Sequence, residues 1–345
     1  MDRLPNTAAI KLDAMFSKAL SIAIISHTRP DGDAAGSCVA MKSFLDRFYG
    51  RKSDILLDNR ASEAVSFILE GQDPVFCDTD FEKAVSIVRH ADVIICLDVS
   101  SPSRTGRLDE AIRASKARKI LFDHHLNPEK PAFDMVISTT EVSSTCEVLY
   151  FSLKNMPQVK GLHTELPPVC LTALMTGLTT DTNNFANSVY PSTFTMTSEL
   201  LSAGVDRDGI IMHIFNEYRE NRIRLTGRLL ADEMKITDDG VAYIILPGRL
   251  GRQYGIREGE LEGIVNMPLS IKSVRMSIFV REDDGFLRVS IRSKRGTSAN
   301  DIATRYFNGG GHELASGGKL FIGKDIAAIE DAAAYIEKVT TEFFR

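Results

Sequence analysis

Short apolar segments alternate with longer helical stretches over the N-terminal part of the chain. These segments are rich in Ile, Val and Leu and lie near residues 21–26, 53–57, 92–98, 118–122 and 134–138. Each has the length of a β-strand, and the helical stretches between them are the connections that parallel strands require. The pattern therefore predicts an α/β fold with a doubly wound, mainly parallel sheet.

Several of the predicted strands end in residues that can bind metal ions. His27 follows the first strand, Asp98 ends the third, and Asp123-His124-His125 ends the fourth. The carboxyl ends of parallel strands open on one crevice, so we expect these side chains to meet there. Taken alone, Asp123-His124-His125 also fits an exposed turn, and Asp98 fits a helix cap or a turn.

The loop after the first strand combines one imidazole with two carboxylates, those of His27, Asp31 and Asp33. Pro30 and Gly32 favour a tight turn, which lets several ligands face one side. Asp31 and Asp33 can each reach a different ion, and oxygen-rich ligation with some imidazole favours manganese or magnesium over structural zinc. A turn in which Asp33 caps the following helix is compatible with the same residues.

Another candidate ligand, Asp181, lies just after the apolar helix-like segment 169–178. It also fits an ordinary polar loop at a helix end.

The C-terminal part of the chain has a different pattern. Predicted strands near 243–246, 273–280 and 286–292, with a hairpin turn at 283–285, indicate a smaller mixed α/β domain. The loop Gly309-Gly310-Gly311-His312 can bring backbone N–H groups close to an anion, with Arg292 and His312 as further donors. A glycine turn between a helix and a strand is the alternative. We predict domains at 1–190 and 223–345, joined by a helical linker at 191–222.

Bulk composition excludes several classes of protein. The chain has 345 residues, 43% of them hydrophobic, and a formal net charge of −5, which argues against disorder and against a stable complex with long nucleic acid. The sequence predicts no membrane span. Five scattered cysteines indicate reduced core residues and a cytoplasmic protein; they are Cys38, Cys77, Cys96, Cys146 and Cys170.

These motifs together resemble those of a known family. His27–Ser37, Asp98, Asp123-His124-His125 and Thr180-Asp181-Thr182 are similar to motifs of the DHH phosphoesterase superfamily. The segments 289–293 and 309–317 resemble the signature of its associated C-terminal substrate-binding domain, DHHA1. The pair of domains is most similar to the branch of nanoRNases and 3'-phosphoadenosine-5'-phosphate phosphatases.

The resemblance implies a two-metal phosphoesterase that converts short oligoribonucleotides, and also 3'-phosphoadenosine 5'-phosphate, to mononucleotides. It implies two divalent ions, Mn²⁺ first, with Mg²⁺ or Co²⁺ as alternatives. The implied metal ligands are His27, Asp31 and Asp98 for one ion, and Asp33, Asp98, His124 and Asp181 for the other. Asp98 then bridges the ions, Asp123 orients a neighbouring ligand, and His125 faces the scissile phosphate; these three form the implied catalytic set. The implied substrate-binding residues are Arg292, Gly310, Gly311 and His312.

Other activities share this metal core. Hydrolysis of linear or cyclic dinucleotides, a RecJ-like single-strand exonuclease and an inorganic pyrophosphatase stay open as alternatives, as does a nucleotide sensor without catalysis. Short RNA or a nucleotide is the expected partner, and a homodimer is compatible with the family.

Overall fold

The structure is a computed structural model that describes residues 6–257, 259–283 and 285–345. It divides into two compact units, residues 1–217 and 218–345. The division falls inside the predicted linker at 191–222. Residues of that segment, including Met196, Leu200 and Ile210, are buried in the core of the first unit. The predicted domain boundaries stay a proposal.

The first unit contains a six-stranded sheet with helices on both faces. Its strands are β1 (Ser21–Ile25), β2 (Lys52–Leu57), β3 (Val75–Phe76), β4 (Val93–Leu97), β5 (Arg118–Asp123) and β6 (Met135–Ser138). All neighbouring strands pair in parallel, in the order β3-β2-β1-β4-β5-β6. The helices of this unit are α1 (Asn6–Lys18), α2 (Gly32–Tyr49), α3 (Glu63–Ser66), α4 (Phe81–His90), α5 (Asp109–Ala114), α6 (Thr145–Lys154), α7 (Pro168–Asp181), α8 (Pro191–Ser202) and α9 (Arg207–Ile211).

Strand β1 shows why the sheet is covered on both faces. Successive side chains of a strand point to opposite faces. Ile22 and Ile24 belong to one buried cluster, with residues of α1, α2, α6 and α7, whereas Ala23 and Ile25 belong to another, with residues of α4 and α5. Parallel sheets are stable when both faces are buried in this way. The predicted α/β class with a doubly wound parallel sheet is confirmed.

The second unit contains a six-stranded mixed sheet. Its strands are β7 (Lys235–Ile236), β8 (Val241–Leu246), β9 (Met276–Asp283), β10 (Phe286–Ser293), β11 (Gly310–Gly311) and β12 (Ala315–Phe321), and its helices are α10 (Glu220–Arg228), α11 (Gly248–Gln253), α12 (Ala299–Tyr306) and α13 (Ala332–Phe344). The order is β11-β12-β10-β9-β8-β7, and among the described strands of this sheet only β8 and β9 pair in parallel. The predicted smaller mixed domain is therefore confirmed. Of the predicted turn at 283–285, Asp284 lies outside the described residues.

All five cysteines are buried free thiols. Within the described residues, the helices are too short or too polar for any of them to cross a bilayer.

Candidate metal centre

The strand order places a crevice between β1 and β4. Connections leave these two neighbouring strands toward opposite edges of the sheet, and ligands bind at such a switch point, beyond the carboxyl ends of the strands. His27 follows β1, Asp98 follows β4, and His124 follows β5. The fold thus gathers the strand-end residues that the sequence predicts to lie together.

His27 lies between two carboxylates of the first unit. Its Nε2 is 3.2 Å from Asp98 Oδ2 and 3.8 Å from Asp31 Oδ1. Its Nδ1 lies 2.9 Å from the carbonyl oxygen of Thr28, which can only accept, so Nδ1 carries the hydrogen and a neutral ring has its lone pair on Nε2. That nitrogen faces both carboxylates, which is the arrangement a metal-binding histidine requires.

The charges around His27 favour a cation. Burial alone would lower the pKa of His27, but the hydrogen bond with Asp98 and the charges of Asp31 and Asp98 raise it to about 9. At neutral pH the ring is therefore protonated when the carboxylates have no other cation beside them. A divalent ion held by His27, Asp31 and Asp98 would take the place of this proton.

His124 lies at the centre of a second group. Its Nε2 is 3.2 Å from Asp181 Oδ2, 3.6 Å from Asp98 Oδ1 and 4.0 Å from Asp33 Oδ2. Burial lowers the pKa of His124, so its imidazole is neutral and able to act as a ligand. Asp33 is fully buried, and burial followed by the charges of Asp98 and Asp31 raises the pKa of its carboxyl well above the usual range. Buried carboxylates that repel one another in this way fit a site for cations.

Asp98 belongs to both groups. One carboxylate oxygen faces His27 and the other faces His124, and the side chain is almost fully buried. Burial opposes ionisation of Asp98, but the hydrogen bond with His27 and the charges of the surrounding histidines hold its pKa well below the usual range. Its backbone φ of 59° is left-handed, a conformation that Asp and Asn tolerate better than most residues. Asp98 thus presents one carboxylate oxygen to each of the two groups.

The side chain of His125 lies beside Asp98 and contacts Asp123. His125 Nδ1 is 2.7 Å from Asp123 Oδ1 and 3.5 Å from Asp98 Oδ1. Asp123 is fully buried, and its Oδ2 has no hydrogen-bond partner among the described residues. The contact fixes the orientation of the His125 ring, so Asp123 acts on the centre through His125.

The N-terminus of α6 supports the centre, although none of the candidate ligand motifs in the sequence points to it. The backbone N–H of Thr145 donates to Asp33 Oδ2 (2.6 Å), and that of Cys146 donates to Asp33 Oδ1 (2.8 Å). The hydroxyl of Thr145 donates to Asp98 Oδ1 (2.9 Å). Ser144 followed by Glu147 three residues later is a typical helix start and would have located this N-terminus, but not its contact with Asp33.

Two glycines allow α2 and α7 to approach each other beside the candidate ligands. A Cβ atom added at Gly32 would lie 2.4 Å from the side chain of Thr180, and one added at Gly177 would lie 2.8 Å from Asp33 Oδ1. No real side chain fits at such distances. The close approach brings Asp181, at the end of α7, to the helix that carries Asp33.

The predicted substrate residues of the second unit lie around its glycine loop. Gly310 and Gly311 form the edge strand β11, and Arg292 lies near the end of β10. The N–H of Gly311 donates to the side chain of Asn300 (2.9 Å), and the N–H of His312 donates to the carbonyl of Ala315 (2.8 Å). These two N–H groups are engaged within the unit, so the backbone of the loop is a poorer anion site than the sequence suggests. The side chains of Arg292 and His312 stay the better candidates.

Each of the two units contains a segment that matches a known domain family. Residues 21–178 match the DHH family, N-terminal domain, and residues 238–342 match the DHHA1 domain. The probable bifunctional oligoribonuclease and PAP phosphatase NrnA of Streptococcus mutans is 28% identical over 308 residues, which cover 87% of this chain and 90% of that protein. The bifunctional oligoribonuclease and PAP phosphatase NrnA of Bacillus subtilis is 28% identical with 87% and 90% covered.

A solved structure resembles the chain over its whole length. The crystal structure of an exopolyphosphatase-related protein from Bacteroides fragilis has a TM-score of 0.90 and 33% sequence identity, with 100% of this chain and 98% of that chain covered.

Proposed function

Because this chain belongs to the DHH family of phosphoesterases and carries a DHHA1 domain, we propose that it is a two-metal phosphoesterase of short oligoribonucleotides and of 3'-phosphoadenosine 5'-phosphate. The observation that carries the proposal is the position of Asp98, whose two oxygens face His27 and His124 at 3.2 and 3.6 Å. A carboxylate shared between two sets of ligands is what a pair of neighbouring ions requires.

The donors fit two divalent ions. His27, Asp31 and Asp98 would hold one ion, and Asp33, Asp98, His124 and Asp181 would hold the other. Carboxylate oxygens with one imidazole in each set suit Mn²⁺, and Mg²⁺ or Co²⁺ would also fit. When bound, such ions activate water and stabilise charge on the phosphoryl oxygens.

The side chains around the ligands have separate tasks in this proposal. Thr145 and the N-terminus of α6 fix Asp33 and Asp98 before any substrate arrives. Asp123 holds Nδ1 of His125 and so orients the ring. In its protonated form, His125 would donate a hydrogen bond to an oxygen of the scissile phosphate.

The preference for short substrates is supported from two sides. The relatives from S. mutans and B. subtilis are named as oligoribonucleases and PAP phosphatases and match most of this chain. A net charge of −5 gives no general attraction for a long polyanion. We therefore assign recognition of the nucleotide to particular side chains, Arg292 and His312 of the second unit among them.

A panel of substrates tests the proposal. Purified protein with Mn²⁺ is assayed on a ribodinucleotide, a 24-nucleotide RNA, 3'-phosphoadenosine 5'-phosphate, pyrophosphate and linear diadenylate. The Asp98→Asn variant, prepared in parallel, controls for contaminating nucleases. We expect rapid release of mononucleotides from the ribodinucleotide and slow attack on the 24-nucleotide RNA. Equal rates on the two RNAs, or a preference for pyrophosphate, would contradict the proposal.

A further inference from the structure

The loop that follows Asp181 has an unusual backbone. Asn183, Asn184, Phe185 and Ser188 all have positive φ angles, of 46°, 57°, 66° and 52°. Asn tolerates such angles, but they are costly for Phe, and they persist where the surrounding structure enforces them. Here the hydroxyl of Thr182 accepts from the N–H of Phe185 at 3.0 Å, which closes the turn. The result is that Phe185 lies on a sharply turned loop four residues after a candidate metal ligand.

Phe185 forms part of an aromatic surface. Its ring stacks nearly parallel on that of Phe194, with centroids 5.8 Å apart and an interplanar angle of 17°. The guanidinium of Arg207 lies 5.4 Å from the centre of the Phe185 ring and hydrogen-bonds to the side chain of Asn184. Phe194, on the first turns of α8, is 54% exposed. We call Phe185, Phe194 and Arg207 the aromatic platform.

Two connections tie the platform to the candidate metal centre. Phe185 is four residues from Asp181, so even an extended chain would separate their Cα atoms by at most about 14 Å. Thr193, next to Phe194, donates to the buried carboxylate of Glu147 at 2.7 Å, and Glu147 lies in the first turn of α6. The same turn holds Asp33. The platform is therefore a neighbour of the centre along the chain and through packing.

The chemistry of this surface suits a nucleobase. Bases stack on aromatic rings without regard to sequence, and an arginine beside the rings adds a cation–π contribution. A single exposed phenylalanine would need no explanation. Here, however, the exposed ring stacks on a second ring, beside an arginine and near the proposed phosphoesterase centre. A base can stack on this exposed ring as a further layer.

We propose that the aromatic platform binds a nucleobase of the substrate by stacking on Phe194. The proposal rests on the proposed function, since it assigns a base-binding surface to the same site. It makes the enzyme depend on the presence of a base while tolerating any base, and it places part of substrate recognition in the first unit.

Kinetics with an altered substrate test the platform. A ribodinucleotide is compared with an analogue that lacks the bases, in the wild type and in Phe194→Ala, Phe194→Tyr and Phe81→Ala. Phe81, which is 39% exposed on α4, is the matched control. Phe194→Ala should lose roughly 5- to 100-fold in kcat/KM on the dinucleotide and nothing on the analogue, the usual worth of one stacked base. Phe194→Tyr and Phe81→Ala should keep the wild-type rates. Equal losses on both substrates, or no loss, would overturn the proposal.

Fluorescence tests binding without catalysis. The chain has no tryptophan, so Phe194→Trp introduces a single, selectively excitable tryptophan at the platform, and Phe81→Trp introduces one at the control position. AMP should quench the first variant and not the second, whereas ribose 5-phosphate should quench neither. Wild-type protein that fails to cleave the dinucleotide would refute the proposed function, and the AMP titration would still decide on the platform.

Sedimentation separates the base from a second copy of the chain as the occupant. If Phe194→Ala changes the oligomeric state, or if AMP leaves Phe194→Trp unquenched, the platform is not a base-binding surface. An unchanged oligomeric state with quenching by AMP supports it.

Discussion

The candidate residues of the two units differ in how firmly the fold holds them. In the first unit, Asp33, Asp98 and Asp123 are buried at the ends of strands and helices, and each accepts hydrogen bonds from neighbouring groups. In the second unit, Gly310 and Gly311 are exposed on a short edge strand. The first arrangement suits chemistry that is the same for every substrate, because its groups are fixed before binding. The second suits selection among substrates.

The largest expected loss of activity comes from replacing Asp98 in the first unit. Asp98→Asn should lower the rate by at least about 1,000-fold on every phosphoester, because an amide cannot replace a carboxylate shared by two ions. Asn tolerates the left-handed backbone at this position, so the fold should be kept. The measurement is kcat on a ribodinucleotide and on bis-p-nitrophenyl phosphate, with circular dichroism as the check on folding. A mild loss, equal to that of Asp123→Asn, would show that Asp98 is not the shared ligand.

The second unit should respond in a substrate-dependent way. Arg292→Ala and His312→Ala should each lose roughly 1.5 to 3 kcal/mol of transition-state stabilisation on a ribodinucleotide, the usual worth of a charge-assisted hydrogen bond. On bis-p-nitrophenyl phosphate, which lacks the rest of a nucleotide, both variants should lose almost no transition-state stabilisation. Arg295→Ala, an exposed arginine in the same region, is the control and should behave as wild type. Parallel losses on both substrates would assign the second unit to support of the metal centre.

Asp123 tests whether a residue of the first unit orients a neighbouring side chain or binds a metal ion itself. Asp123→Asn should cost on the order of 10- to 100-fold in kcat, because the residue orients His125 and is not itself a proposed ligand. The number of bound metal ions should stay unchanged, as measured by elemental analysis after gel filtration. Loss of an ion in this variant would make Asp123 a ligand.

The smallest expected effect concerns Thr145. Thr145→Val keeps the shape of the buried side chain but removes the hydrogen bond to Asp98, and we expect a loss of roughly 2- to 10-fold in kcat/KM on all substrates. Thr145→Ser keeps the hydroxyl and should retain most of the activity. If both variants lose activity equally, the methyl packing matters rather than the hydrogen bond.

Features that depend on local sequence patterns could be predicted, whereas contacts between residues far apart in the sequence could not. The α/β class could be predicted because strands and helices leave periodic patterns, and residues at the ends of neighbouring parallel strands, such as His27 and Asp98, must meet. Thr145 could not be found in this way. It contacts Asp98 across 47 positions of sequence, and only the packing of α6 against the sheet brings them together.

Other features of the structure depend on contacts that the sequence pattern does not show. The glycine loop suggests free N–H groups, but the side chain of Asn300 occupies that of Gly311. Within the predicted linker at 191–222, the apolar residues Met196 and Leu200 are buried in the core of the first unit. Both depend on the packing of the folded chain, which composition and periodicity do not reveal.

The central claim is that the first unit binds two divalent ions through a shared Asp98. Its most direct test is the number of Mn²⁺ ions bound per chain after chelation, dialysis and reconstitution, measured together with activity on a ribodinucleotide. We expect two ions per chain in the wild type and in Arg292→Ala, fewer in Asp98→Asn, and activity that disappears on chelation and returns with Mn²⁺. Full activity in excess chelator, or two tightly bound ions in Asp98→Asn, would contradict it.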